Sequence, residues 1–129
     1  MEIYRPTRAL IDLGAIERNT RRIIEKYNGY KFYTAVVKAD CYGYKGFDVV
    51  KAMIDGGANF LAASLLEEGV ALRQEFPEIP IMLFNPVDKE NLHIMRENNL
   101  ICTVATLSQA EECASTEGLK VMIRANGGS

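Results

Sequence analysis

The chain has 129 residues, of which 48% are hydrophobic and 25% are charged, as expected for one globular domain with its own core. Its formal net charge is −2 at pH 7, which excludes a general electrostatic attraction to nucleic acid or to an anionic membrane surface. No apolar run approaches the roughly 20 residues of a membrane-spanning helix. Residues 1–7 lack the apolar core of a secretory signal, so we expect a cytoplasmic protein.

Three cysteines and one histidine offer little for a metal site. Cys41, Cys102 and Cys113 are an odd number without a ligand spacing, which argues against a disulfide framework and against zinc. Cys102 lies in an apolar run and is predicted to be a small core residue, whereas Cys113 is predicted to lie on a helix. His93 stands in a polar helical context and is predicted to be a surface residue.

Taken in chain order, extended and helical segments alternate. Residues 9–13 form a short predicted extended segment that Gly14 ends. Apolar residues at helical spacing or after capping signals then predict helices at 15–27, 46–54, 65–76, 89–97 and 107–116. Apolar runs predict strands at 32–37, 59–63, 79–84, 100–104 and 119–124. Two capping boxes are predicted, Ser64 with Glu67 and Thr106 with Gln109, and Asp88 is a third predicted cap.

Strand, helix and strand follow one another at a spacing of roughly 20 to 25 residues, which indicates α/β architecture with a parallel sheet of about five strands. Two arrangements fit. An open doubly wound sheet would be complete at this length, whereas a closed (β/α)8 barrel needs about 250 residues. The last residues, 124–129, form a loop of the kind that leads into another helix, which favours the first part of a truncated TIM-type barrel.

Lys38 is the residue most capable of chemistry. It ends the buried strand at 32–37, and α/β folds place their sites beyond the carboxyl ends of strands. Desolvation there disfavours the ammonium form and makes an amine a better nucleophile toward a carbonyl. The alternative is a strand-terminal lysine that only reaches solvent, and the residues alone favour that alternative.

The motif around Lys38, Val-Val-Lys-Ala-Asp-Cys-Tyr-Gly-Tyr at 36–44, resembles the cofactor-lysine motif of the alanine racemases, fold-type III pyridoxal-phosphate enzymes with a barrel domain. Further segments resemble the same family in the same order: Arg5-Pro6-Thr7, Ile11-Asp12-Leu13, Gly56-Gly57-Ala58, Phe60-Leu61-Ala62, Leu66-Glu67-Glu68 and 80–84. The resemblance runs nearly end to end. Family members are about three times as long, so residues 1–129 correspond to the N-terminal part of the barrel domain, without the C-terminal β-domain.

The resemblance implies a pyridoxal-phosphate-dependent isomerase. Lys38 would form the internal aldimine with pyridoxal 5'-phosphate and exchange the α-proton of the amino acid, and Tyr42 would hydrogen-bond the cofactor phosphate. The implied reaction interconverts L-alanine and D-alanine for cell-wall precursors. The opposing catalytic tyrosine comes from the C-terminal domain of a partner subunit in this family. We therefore expect the chain to be inactive by itself, and to form a homo-oligomer.

Several departures leave alternatives open. Tyr44-Lys45 replaces the usual His-Gly, Cys41 replaces a residue that is often alanine, and Arg124 falls where many members carry a carbamylated lysine. A racemase for serine, lysine or ornithine therefore remains possible. So does a non-catalytic cofactor-binding or assembly module. A small cofactor carrier related to single-domain pyridoxal-phosphate homeostasis proteins fits less well, because those proteins carry a different lysine motif.

Overall fold

The computed structural model describes residues 12–37 and 46–123. Five helices alternate with five strands in this part of the chain. In order these are α1 Leu13–Lys26, β1 Thr34–Val36, α2 Gly46–Asp55, β2 Phe60–Ala63, α3 Leu66–Glu75, β3 Ile81–Leu83, α4 Leu92–Glu97, β4 Leu100–Val104, α5 Leu107–Ala114 and β5 Lys120–Ile123, with a 3-10 turn at Lys89–Asn91 before α4. None of the helices in these ranges is both long and apolar enough to cross a membrane.

The five strands form one sheet in the order β1-β2-β3-β4-β5, and every neighbouring pair is parallel. The predicted fold class is therefore confirmed. Helices α2 to α5 each carry the chain back to the amino end of the next strand, as parallel pairing of consecutive strands requires. All carboxyl ends of the strands consequently lie along one edge of the sheet.

The core lies on a single face of this sheet, and that decides between the two predicted arrangements. Alternate strand residues, among them Leu61, Ile81 and Leu100, pack in one cluster with Val50 of α2 and Leu72 of α3, and side chains of α4 and α5 join them. Because helices α2 to α5 all cover the same face, the sheet is not doubly wound. A parallel sheet covered by helices on one side is the wall of a barrel, here represented by five strands.

Four local expectations are corrected. Leu13 and Gly14 belong to α1, because the Asp12 carboxylate accepts from the Ala15 N–H (3.0 Å) and starts the helix earlier; residues 9–11 lie outside the described ranges. Strand β1 is shorter than predicted, since the Tyr33 N–H bonds the Asn59 side chain (2.8 Å). The N-cap residue of α3 is Leu65, not the predicted Ser64. Asp88 makes no side-chain capping bond.

Arg73 secures the opposite, amino-terminal edge of the sheet. Its guanidinium donates to four backbone carbonyls, those of Phe76 (3.0 Å), Ile79 (2.7 Å), Asn98 (2.9 Å) and Asn99 (2.9 Å). These carbonyls belong to the end of α3, the approach to β3 and the turn after α4, so one side chain joins two connections, α3–β3 and α4–β4. Burial lowers the pKa of Arg73 from its ordinary value, but an arginine keeps its charge at any physiological pH.

Candidate functional site at the carboxyl edge of the sheet

Strand β1 ends at the carboxyl edge of the sheet. The Val37 N–H donates to the Ala62 carbonyl at 2.8 Å, which continues the β1–β2 pairing one residue beyond the strand. The Val37 side chain is buried in the core. Lys38 is the next residue in sequence. Lys38 and Tyr42 both lie outside the described residues, as do Cys41 and Arg124, so their predicted roles stay predictions.

Glu68 organises the neighbouring loop between β2 and α3. Its carboxylate is buried and accepts from the backbone N–H groups of Ser64 (3.1 Å) and Leu65 (3.0 Å). Leu65 has no side-chain acceptor, so only the carboxylate half of a capping box forms. The sequence assigned this role to Glu67, one residue too early. The sequence signal for Glu68 was the second glutamate of the Leu66-Glu67-Glu68 run. Consecutive residues of a helix point in different directions, and Glu68 is the buried one of the two glutamates.

A cavity of about 200 Å³ lies between this loop and the one after β3. Ser64, Leu65, Leu66, Glu67, Asn85, Pro86, Val87, Asp88 and Asn91 line it. The described residues of the lining include two carboxyl side chains, Glu67 and Asp88. Two negative side chains repel a phosphate dianion. The amide and carboxylate oxygens of the cavity suit a hydrogen-bond donor such as an ammonium group instead.

The loop after β4 is fixed by a complete capping box, as predicted. The Gln109 side-chain oxygen accepts from the N–H groups of Ala105 (2.7 Å) and Thr106 (3.2 Å), and the Thr106 hydroxyl oxygen accepts from the Gln109 N–H (3.2 Å). Two of the loops at this edge are thus held by a polar side chain from the first turn of the following helix. These hydrogen bonds fix the backbone at the start of α3 and α5.

Thr103 of β4 is a polar group that the sequence analysis missed. Within the described residues, its hydroxyl oxygen is the buried side-chain polar atom without a hydrogen-bond partner. Alternation along β4 puts Thr103 on the face opposite Cys102 and Val104, away from the covering helices. An unpaired buried hydroxyl is costly, so Thr103 marks the barrel-interior face as a place where a ligand or water can add a bond. In the sequence, the signal for this polar group was a threonine inside an otherwise apolar strand.

Residues 11–128 match the family model described as alanine racemase, N-terminal domain. The alanine racemase of Streptococcus agalactiae serotype Ia is 33% identical over 132 aligned positions, covering 97% of this chain and 35% of that protein. The crystal structure of alanine racemase from E. faecalis superposes with a TM-score of 0.76 at 29% identity, covering 86% of this chain and 32% of that one.

Two more distant structures share the fold alone. One is an alanine racemase from Bartonella henselae with covalently bound pyridoxal phosphate (TM-score 0.72, 24% identity, 81% of this chain and 30% of that one). The other is a histidine racemase from Leuconostoc mesenteroides (TM-score 0.70, 19% identity, 85% and 30%). The chain spans about a third of the length of the relatives it matches. With its five-stranded parallel barrel wall and its match over residues 11–128, the chain belongs to the alanine racemase family, within the N-terminal domain.

Proposed function

We propose that this chain is the lysine-bearing part of a pyridoxal-phosphate-dependent amino-acid racemase that interconverts L-alanine and D-alanine. The family match supports the class of reaction. The observation that carries the proposal is the end of β1: its pairing with β2 runs through Val37 at the carboxyl edge of the sheet, and the motif lysine is the next residue. In barrel folds that edge holds the active site.

In this proposal Lys38 binds the cofactor through its side-chain nitrogen and exchanges a proton at the substrate α-carbon, while the Tyr42 hydroxyl donates to the cofactor phosphate. Pyridoxal phosphate supplies the electron sink that acidifies the α-hydrogen. The resemblance of residues 36–44 to the family motif supports phosphate binding by Tyr42, and the two carboxylates of the cavity beside the β2–α3 loop disfavour an anion there. The side chains of Glu68 and Gln109 accept from backbone N–H groups of the β2–α3 and β4–α5 loops at the same edge.

Covalent capture tests the assignment of Lys38. The purified chain is incubated with pyridoxal phosphate, reduced with borohydride and digested for peptide mapping. We expect one modified lysine, Lys38, and its loss in Lys38→Ala. Lys51 is the matched control, because it is an exposed surface lysine paired with Asp55 (3.0 Å), and Lys51→Ala should leave the labelling unchanged. Equal labelling of Lys51 and Lys38 would refute a specific cofactor site.

Isotope exchange tests the reaction and the substrate. Removing and replacing an α-proton needs one acid/base group, whereas inversion needs groups on both faces of the substrate. We therefore expect the cofactor-loaded chain to exchange the α-hydrogen of alanine in D2O, seen by NMR, with little inversion. Serine, lysine, ornithine and histidine run in parallel decide the substrate. Exchange that survives Lys38→Ala would contradict the proposed role of the lysine.

The proposed partner is a second copy of this chain. The second candidate function is that of a non-catalytic assembly module. Within the described sheet, β1 and β5 each pair on one side only. The side chain of Ile123 on β5 is 79% exposed and that of Val121 is 48% exposed. Unpaired strand edges with apolar side chains favour association with a second copy. Light scattering after size-exclusion chromatography should show an oligomer, and a monomer at every concentration would count against it.

A further inference from the structure

Two cysteine side chains meet between β4 and α5, far along the chain from the Lys38 motif. The Sγ atoms of Cys102 and Cys113 are 3.4 Å apart. Cys102 lies on β4 and Cys113 on α5, and both side chains are buried. A disulfide bond requires an S–S distance of about 2.05 Å, so the two sulfur atoms need to approach by a further ~1.4 Å. Closing a disulfide therefore requires this approach, by side-chain rotation or by a shift of α5 toward β4.

One of the two thiols can be reached from outside the core. A cavity of about 340 Å³ lies between α5 and the start and end of β5, and Cys113 is part of its lining whereas Cys102 is not. The walls are mostly small or apolar, from Val104, Ala110, Ala114 and Leu119, with one carboxyl side chain, Glu117. Such a cavity admits a small uncharged molecule and disfavours an anion.

We propose that Cys102 and Cys113 are an oxidisable dithiol site, in which a small hydroperoxide reacts at Cys113 and Cys102 then closes the disulfide. This site is independent of the proposed racemase function. Nothing in it uses Lys38, Tyr42 or a cofactor.

The chemistry balances in two steps. The Cys113 sulfur attacks the peroxide, a sulfur–oxygen bond forms as the oxygen–oxygen bond breaks, and the thiol proton leaves with hydroxide as water. The product is a sulfenic acid. The Cys102 sulfur then attacks the Cys113 sulfur, the disulfide forms as the sulfur–oxygen bond breaks, and the Cys102 proton leaves with hydroxide as a second water. Two thiols lose two electrons, and hydrogen peroxide becomes two water molecules.

The surroundings of the two sulfur atoms decide which cysteine reacts first. Burial, aided by the contact with Cys113, raises the pKa of Cys102 to about 12, and a protonated thiol is a poor nucleophile. Cys102 also has no access to the cavity. The hydroperoxide therefore meets Cys113 first, and Cys102 acts as the resolving residue, giving its proton to the departing hydroxide as its sulfur attacks.

Thiol counting on the wild-type chain tests the proposal without any variant. The sequence has three cysteines, so the reduced and then denatured protein takes up three maleimide tags. After native-state treatment with hydrogen peroxide and then denaturation, we expect one tag, on Cys41, a peptide disulfide joining 102 to 113, and recovery of all three tags with dithiothreitol. Retention of three tags, or a disulfide that includes Cys41, would overturn the proposal.

Two variants in a Cys41→Ser background separate the roles. With Cys102→Ser, peroxide should leave Cys113 as a sulfenic acid that dimedone traps, with no intramolecular disulfide. With Cys113→Ser, Cys102 should keep its free thiol, because the cavity does not reach it. Circular dichroism establishes that each variant is folded. Oxidation of Cys102 in the Cys113→Ser variant as fast as disulfide formation in the parent would show that the assigned order is wrong.

Discussion

Replacing Glu68 by alanine tests which glutamate holds the loop beside the Lys38 strand. The Glu68 carboxylate accepts two backbone N–H groups, from Ser64 and Leu65. A hydrogen bond to a charged group contributes roughly 1.5 to 3 kcal/mol. The lower end applies to Leu65, whose side chain is 46% exposed, because water replaces a lost partner there. Allowing a few tenths of a kcal/mol for the better helix propensity of alanine, we expect Glu68→Ala to lower the free energy of unfolding by about 2.5 to 4 kcal/mol.

Glu67→Ala is the matched control. Glu67 is exposed, makes no hydrogen bond or ion pair within the described ranges, and lies in the same first turn of α3. Both variants remove one negative charge near the helix N-terminus, so the helix-dipole contribution cancels in the comparison. We expect Glu67→Ala to change the stability by less than about 0.5 kcal/mol. Glu68→Gln keeps a neutral acceptor oxygen and should cost about 1 kcal/mol.

Urea unfolding followed by circular dichroism measures these differences as shifts of the midpoint at constant slope. The structural assignment requires a clearly lower midpoint for Glu68→Ala than for Glu67→Ala, with Glu68→Gln between the two. Equal shifts for the two alanine variants would refute it. A larger shift for Glu67→Ala would restore the capping box read from the sequence, in which Ser64 and Glu67 are partners.

The remaining predictions concern the opposite edge and the buried thiols. Arg73→Met keeps the aliphatic stem but leaves four carbonyls without their donor, so urea melts should show a loss of about 2 to 4 kcal/mol, and Arg73→Lys should recover only part of it; an unchanged midpoint would show that water replaces the guanidinium. Cys102 has a pKa of about 12 in the folded chain against an ordinary value of 9.0. The unfolded thiol therefore loses its proton first, and the stability contributed by Cys102 is complete below pH 9 and is lost as the pH rises toward 12. The free energy of unfolding of wild type minus that of Cys102→Ala, followed by urea melts from pH 8 to 11, should accordingly fall with pH, and a constant difference would contradict the raised pKa.

Much of the fold could be read from the order of residues, because the strands are apolar runs and the helices begin at recognisable signals. Strand β4 was predicted with the bounds that the structure gives it, and the Thr106–Gln109 capping box was predicted with both partners. Errors concentrate where a side-chain oxygen, distant or local, accepts from a backbone N–H group near the end of a predicted element. Asn59 takes the Tyr33 N–H that would have lengthened β1, and Asp12 starts α1 before Gly14 can end a strand.

Tertiary structure alone decided three matters. The sequence left an open sheet and a barrel wall as alternatives, and only the one-sided packing of α2 to α5 distinguishes them, because hydrophobic periodicity does not say which face of a sheet a helix covers. Second, the sequence pattern predicted Glu67 as the capping residue, whereas in the structure the Glu68 carboxylate accepts from the N–H groups of the loop. Third, the sequence correctly predicted Cys102 in the core and Cys113 on a helix. The 3.4 Å contact between their sulfur atoms depends on how α5 packs on β4. The Lys38 motif is the converse case: sequence pattern alone identifies it, since a chemical signature depends on residue types in order and needs no packing to be recognised.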